Sequence, residues 1–218
     1  MKPSNQHILE YLIINKDYND NTIVVKSFNE LRKIIEDRYD KLGAGTEQNP
    51  IDFNDIDVSN LDSFYDSLNT YIGIFEGTKF KFIDISYWDV SNVKSTRRMF
   101  FECEKLKSVG DLSNWDVSNV TDMSCMFFVC EKLELTGDLS NWNVSNVTDM
   151  DCMFNGCNIF NQDISDWDVS NVTNMMYMFH GCKSFNQDIS DWDVSKVLYN
   201  GCAFYDCPIK EEYKPKFK

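Results

Sequence analysis

Histidine is almost missing from this chain of 218 residues: there are only His7 and His180. That leaves no Ser-His-Asp or Cys-His-Asx arrangement to argue for. There is no glycine-rich phosphate loop and no G-x-S-x-G turn. No apolar run reaches the ~18 residues of a membrane span. The opening residues carry one lysine, Lys2, before an apolar run that Glu10 and Asn15 interrupt, and no small-residue cleavage site follows. This reads neither as a secretory nor as a lipoprotein signal, so a cytoplasmic or particle-associated location is expected unless export takes another route. Positive charge is also scarce, with 21 Lys and Arg against 35 Asp and Glu and a net charge of −14. Such a surface repels phosphate backbones, which argues against nucleic acid and favours a basic partner. Apolar residues are plentiful: hydrophobics make up 43% and aromatics 14%, enough for a sizeable core.

The dominant feature is an internal repeat. The block W-[DN]-V-S-[NK]-V starts at Trp88, Trp115, Trp142, Trp167 and Trp192, so all five tryptophans share one position. The spacing is 27, 27, 25 and 25 residues. Five units run from about Asp84 to Cys207, and a degenerate sixth begins at Ile56, where Ile replaces Trp. Each unit opens with alternating apolar residues, such as Val117 and Val120, which suit a short strand between tight turns. Its second half, such as Met123 to Cys130, spaces apolar residues three and four apart and predicts one or two helical turns. No unit can bury its own apolar face, so the units must stack. The expected fold class is α/β: a leucine-rich-repeat-like solenoid of short strands and short helices, with an α+β N-terminal cap.

The pattern D-[IL]-S-x-W-[DN]-V-S-N-V-[TK]-x-M-x-x-M-F-x-x-C resembles the BspA-type leucine-rich-repeat surface proteins, including the repeat class of mycoplasma lipoproteins. The resemblance covers about Ile56 to Cys207. It implies a solenoid used for adhesion or protein binding, a cell-surface location, and a partner such as a host or matrix protein. The lack of a recognisable leader departs from the surface-exposed members.

Residues 1–50 do not repeat and read as an α/β capping region, followed by the solenoid over 51–207 and a polar tail over 208–218. Asn21 to Val25 predicts a strand. Ser27 and Glu30 form a capping box, and Gly43 suits the C-terminal cap of a helix that places Leu31, Ile34, Ile35 and Leu42 on one face. Such a helix would shield the open end of the stack.

The eight cysteines fall in two columns. Cys103, Cys130, Cys157, Cys182 and Cys207 each follow the unit's Phe by three residues, and Cys125, Cys152 and Cys202 share a second position. Columns of this kind suit small buried apolar side chains, and the close paired spacing of zinc ligands is missing; some disulfides stay open as a reading. The Asp columns, such as Asp111, Asp138, Asp163 and Asp188, could bind calcium, but the glycine-rich pattern of such binders is absent and Asx turns account for them. The column Asn92, Asn119, Asn146 and Asn171 reads as a ladder satisfying loop backbone, and the tryptophans as a core spine. No metal and no cofactor are expected.

A repeat offers copies, whereas a catalytic site needs a unique constellation. The expected function is therefore a non-enzymatic protein-binding or adhesion module. A structural component of a larger assembly, such as a phage or virus particle, is the alternative; a carboxylate-based enzyme is the third reading. A binding surface would use exposed positions that vary between units: Tyr87, Arg97, Arg98, Phe101, Phe128, Tyr177, His180 and Tyr205. Phe128, Val129 and Tyr177 read more readily as core positions.

Overall fold

A computed structural model describes residues 22–66, 72–134 and 137–217. His7, the leader reading and Asn21 of the expected strand lie outside these residues. The chain begins with β1 (Ile23–Val24) and α1 (Phe28–Leu42). Three short strands follow: β2 (Ile51–Asp52), β3 (Ile56–Asp57) and β4 (Ile83–Asp84). β1 pairs in parallel with β3, and β2 with β4.

From there a line of parallel bridges runs through the repeats, Ser63 to Ser95, then Asp122, Asp149, Asn174 and Tyr199, with a further parallel bridge from Phe82 to Ser108. Beside it, alternate N–H groups of each coil donate to carbonyls of the next. Met123, Cys125, Phe127 and Val129 donate to Asp149, Asp151, Met153 and Asn155 at 3.0, 2.8, 3.0 and 2.7 Å. The same four bonds recur from the coil of Met150 to that of Asn174, and from Met175 to Tyr199. Consecutive units are thus hydrogen-bonded in register.

Among the described residues, the second half of each unit contains no helix; consecutive tight turns take its place. Met126 N–H bonds Met123 C=O and Cys130 N–H bonds Phe127 C=O, each closing a four-residue turn. The third residue of each turn is left-handed, Cys125 at φ 56° and Val129 at φ 56°. This is the geometry of type II turns. Two successive turns bring Met123, Met126, Phe127 and Cys130 back to the core side, reproducing the three-and-four spacing that predicts helix. The equivalent left-handed residues are Arg98, Cys152, Tyr177 and Cys202 in one column and Glu102 and Asp206 in the other, where Gly156 and Gly181 also sit.

Side chains lock the same register. Every tryptophan is buried, and its Nε1–H donates to a carbonyl of the preceding coil: Trp142 to Leu112 and Trp167 to Leu139, both at 2.9 Å. Phe100, Phe127, Phe154, Phe179 and Phe204 stack face to face with centroids 5.4, 5.7, 5.8 and 5.7 Å apart. Asn119, Asn146 and Asn171 donate Nδ2–H to Ser91, Ser118 and Ser145 carbonyls one coil back, so the asparagine column is a ladder. Lys196 closes it on Asn171 Oδ1 at 2.6 Å.

The buried cysteine column behaves likewise. Cys103, Cys130, Cys157 and Cys182 donate S–H to the carbonyls of Phe75, Phe100, Phe127 and Phe154 at 3.0 to 3.1 Å. All eight thiols are free. Burial pushes the Cys103 thiol up to about 12 and raises Cys130, Cys157 and Cys182 as well.

The N-terminal helix closes the first coil. Ser27 Oγ accepts from Glu30 N–H at 3.3 Å, and Glu30 returns its bond to the N–H of Lys26, one residue before the expected Ser27. Leu31 and Ile35 are fully buried and Ile34 packs against the core. Leu42 is 63% exposed, a correction to the expected face: it is the last helical residue, and Gly43 turns the chain away there. Arg32 Nη1 donates to the carbonyls of Ile74 and Glu76, at 2.8 and 3.3 Å. These are the first coil's equivalents of Met99 and Phe101, whose carbonyls accept from Phe75 and Gly77. The arginine therefore takes the place of a preceding coil's N–H groups. At the other end the tail folds back: Ile189 N–H reaches Tyr213 C=O, and Phe217 packs on Phe204.

Three measurements check this architecture. The Thr96 hydroxyl is buried without a partner among the described residues, at a position that is Met in the next three units (Met123, Met150 and Met175). Thr96→Val removes that orphaned group, so urea unfolding is expected to show a gain of about 1 kcal/mol. Alkylation of the native protein at mildly alkaline pH should label exposed Cys202 and spare Cys130 and Cys157 until denaturant is added. Third, hydrogen bonds from the Ser140, Ser170 and Ser190 side chains and N–H groups hold Asp138, Asp168 and Asp188 below the usual carboxylate range. A depressed native pKa gives stability that is present above the unfolded value and lost as pH falls through the native one. The urea midpoint should then drop below about pH 4. Replacing the three aspartates by Asn, which keeps the acceptor, should flatten that drop; an unchanged slope would contradict it.

Candidate functional site

Each coil turns on residues whose side chains serve the backbone, so most exposed positions are copies with a structural job. Asp111, Asp138, Asp163 and Asp188 accept the N–H two residues on, from Ser113, Ser140, Ser165 and Ser190, at 2.9 to 3.1 Å. The parallel column Asp89, Asp116, Asn143, Asp168 and Asp193 does the same at its own serines. These are Asx turns. Among the described residues the acidic columns bring no three ligand atoms together by themselves.

Chemistry that is not copied sits on the turn side of the stack, next to the left-handed residues. One column there reads Phe101, Phe128, Asn155, His180 and Tyr205. Phe101 and Phe128 stack with centroids 4.6 Å apart. Arg98 lies over Phe101 with its guanidinium carbon 3.6 Å from the ring centroid, and it grips Glu76 through two bonds of 2.9 and 2.5 Å. The bonds to Glu76 raise the Arg98 pKa further, against a smaller opposing effect of burial. Arg97 lies over Tyr65 at 5.3 Å and donates to Ser124 Oγ at 2.6 Å. Three coils further on, His180 stacks on Tyr205 at 5.3 Å, and Tyr177 meets His180 edge-on at 5.7 Å.

The sequence-predicted residues divide accordingly. Seven of the eight lie on this side: Arg97, Arg98, Phe101 and Phe128 in one group, and Tyr177, His180 and Tyr205 in the other. Phe101, Phe128 and His180 are half-buried, whereas Tyr205 is 65% exposed. Tyr87 is 43% exposed but sits just before Trp88 at a different corner, where its N–H bonds Asn54 Oδ1. The structure does not bring it to the others.

Sequence reasoning missed two features. Glu76 lies before the first clear unit, and only the turn geometry brings it under Arg98. The second is a cluster of Cys125, Asp151 and Cys152, whose ligating atoms all lie within 4.8 Å of one another; among the described residues it is the one such group of three. Cys125 and Cys152 are neighbours in adjacent coils. The hydrogen bond between them lowers the Cys125 pKa, against the effect of burial, and raises that of Cys152. Asp151 was the available signal, because the equivalent residues are Arg97, Ser124, Met176 and Gly201.

No helix among the described residues is long and apolar enough to cross a membrane. No curated protein and no solved structure matches the chain. A family model described as "Mycoplasma protein of unknown function, DUF285" matches residues 47–136 and 126–211, which together take in the whole array of repeats. The chain therefore belongs to the DUF285 family.

Proposed function

We propose that this chain is a non-enzymatic protein-binding module of BspA-like, leucine-rich-repeat character, whose stacked coils form a rigid solenoid displaying a recognition face. One observation carries the reading. The backbone-serving residues are nearly the same in every coil, whereas the turn side varies and collects aromatic and arginine side chains that are only partly covered. Aromatic and arginine residues dominate interface energetics: rings bury much surface with few torsions to freeze, and the guanidinium adds charge-assisted hydrogen bonds and stacking. A repeat scaffold with fixed internal contacts can vary such positions without loss of fold.

The partner follows from charge. The net charge is −14. Glu102 and Asp206 hold left-handed corners of the turn side. Asp206 is paired with Lys183 and Asp122 lies 4.0 Å from Arg97, while Glu102 has no such ion pair among the described residues. Carboxylates next to open aromatic rings suit the lysine and arginine side chains of a basic protein segment. Adhesion to a host or matrix protein is the specific form the family resemblance suggests.

The test is fluorescence anisotropy with labelled arginine-rich and glutamate-rich peptides of equal length. The arginine-rich peptide should bind, and more weakly as salt rises. The double variant His180→Ala, Tyr205→Ala should weaken binding by about tenfold or more, whereas Tyr87→Ala should leave it unchanged. Equal binding of both peptides, or an affinity unaffected by the double variant, would remove this reading.

A further inference from the structure

The first of the two left-handed corners in each coil carries no fixed residue type. It holds Arg98, Cys125, Cys152, Tyr177 and Cys202 in turn, so no common side chain is required there. The contrast with the other cysteine column is direct. Cys103, Cys130, Cys157 and Cys182 are core residues that bond a carbonyl one coil back. Cys125 and Cys152 serve no such backbone role, yet they occupy adjacent coils. Cys125 N–H donates to Asp151 C=O at 2.8 Å, which sets the two corners side by side. The Asp151 carboxylate then reaches the same point: Oδ1 lies 3.3 Å from Cys152 Sγ, and both sulfurs and the carboxylate oxygen fall within 4.8 Å of one another. Cys125 is buried, whereas Asp151 and Cys152 are half-buried, so the cluster is reached from solvent on the side of Asp151 and Cys152.

We propose that Cys125, Cys152 and Asp151 form a binding site for one thiophilic divalent cation, with zinc as the best match. Two thiolates and one carboxylate are a ligand set that tetrahedral zinc accepts. Metal–sulfur bonds of about 2.3 Å and metal–oxygen bonds of about 2.0 Å place tetrahedral ligand atoms roughly 3.5 to 4 Å apart. The cluster already approaches that spacing, so side-chain torsions alone can close it on an ion. Binding is balanced by proton release: each thiol gives one proton to solvent, two per cation, and the ion takes both sulfur lone pairs. Three protein ligands leave the fourth position to water. The ion would tie two neighbouring coils together at the centre of the turn side. Zinc prefers this pair over hard oxygen-ligand ions because thiolate is soft, so calcium and magnesium should not compete.

Cobalt(II) titration of the reduced, tag-free chain tests the site by the thiolate-to-metal absorption band. One equivalent should bind, and zinc should displace it. Cys125→Ser and Cys152→Ser should each abolish the band. Asp151→Asn should weaken binding by about tenfold, in line with loss of one oxygen ligand. Cys202→Ser should change nothing. A second measurement needs no variant: zinc should protect Cys125 and Cys152 of the native chain from alkylation, as read by peptide mapping. No band in the native chain, a band that survives loss of both cysteines, one lost equally in Cys202→Ser, or no protection by zinc would each overturn the proposal. So would quantitative formation of a Cys125–Cys152 disulfide that persists under a glutathione buffer at cytosolic poise, because a disulfide removes both thiolates.

Discussion

The backbone ladder between coils is the constraint on which everything else rests. A coil of about 25 residues with almost no regular secondary structure cannot satisfy its own N–H and C=O groups. Here alternate N–H groups on the turn side point along the stack and find carbonyls one coil away. Each coil is therefore completed by the next, and the ends need separate solutions. At the start, one arginine of α1 supplies donors to the carbonyls of Gly73, Ile74 and Glu76, which no coil precedes. Burying Leu31 and Ile35 against the first coil is what holds that arginine in place.

The same ladder explains why side chains fall into columns. Equivalent residues are stacked at the distance of paired strands, so each column must satisfy itself along the stack. Phenylalanine rings do so by stacking, tryptophans and cysteines by donating to carbonyls, and asparagines by bridging successive turns. The aspartates are different: each bonds within its own coil, two residues on. Their negative charges can thus repeat along the surface while every carboxylate keeps a local partner. This leaves the molecule acidic without disturbing its core.

Both proposals rest on departures from the pattern. Residues that recur are explained by the stack, as the buried cysteine column shows. Residues that break a column have no such explanation, and they gather on the turn side. The aromatic pairs Phe101 with Phe128 and His180 with Tyr205 flank the Cys125, Asp151 and Cys152 cluster along the array. The proposed binding face and the proposed metal site rest on different side chains, so each proposal can hold or fail alone.

By itself the sequence determined the repeat, its spacing, the columns, the N-terminal capping helix with its Ser27 and Gly43 ends, and the structural use of the asparagines, Asx turns and tryptophans. These are legible because period and turn chemistry are local properties. The helical reading of Met123 to Cys130 failed for a local reason that one sequence hides. Left-handed turn residues usually announce themselves as glycine, and here only Gly156 and Gly181 do so, while Arg98, Cys125, Val129, Cys152 and Tyr177 hold other such positions. Only the tertiary structure decided which non-repeating residues meet. It placed Glu76 under Arg98, separated Tyr87 from the other candidates, and brought Cys125, Asp151 and Cys152 to one point. Residues 25 to 27 apart in the chain become neighbours through the pitch of the stack, and that register is set by hydrogen bonds between coils.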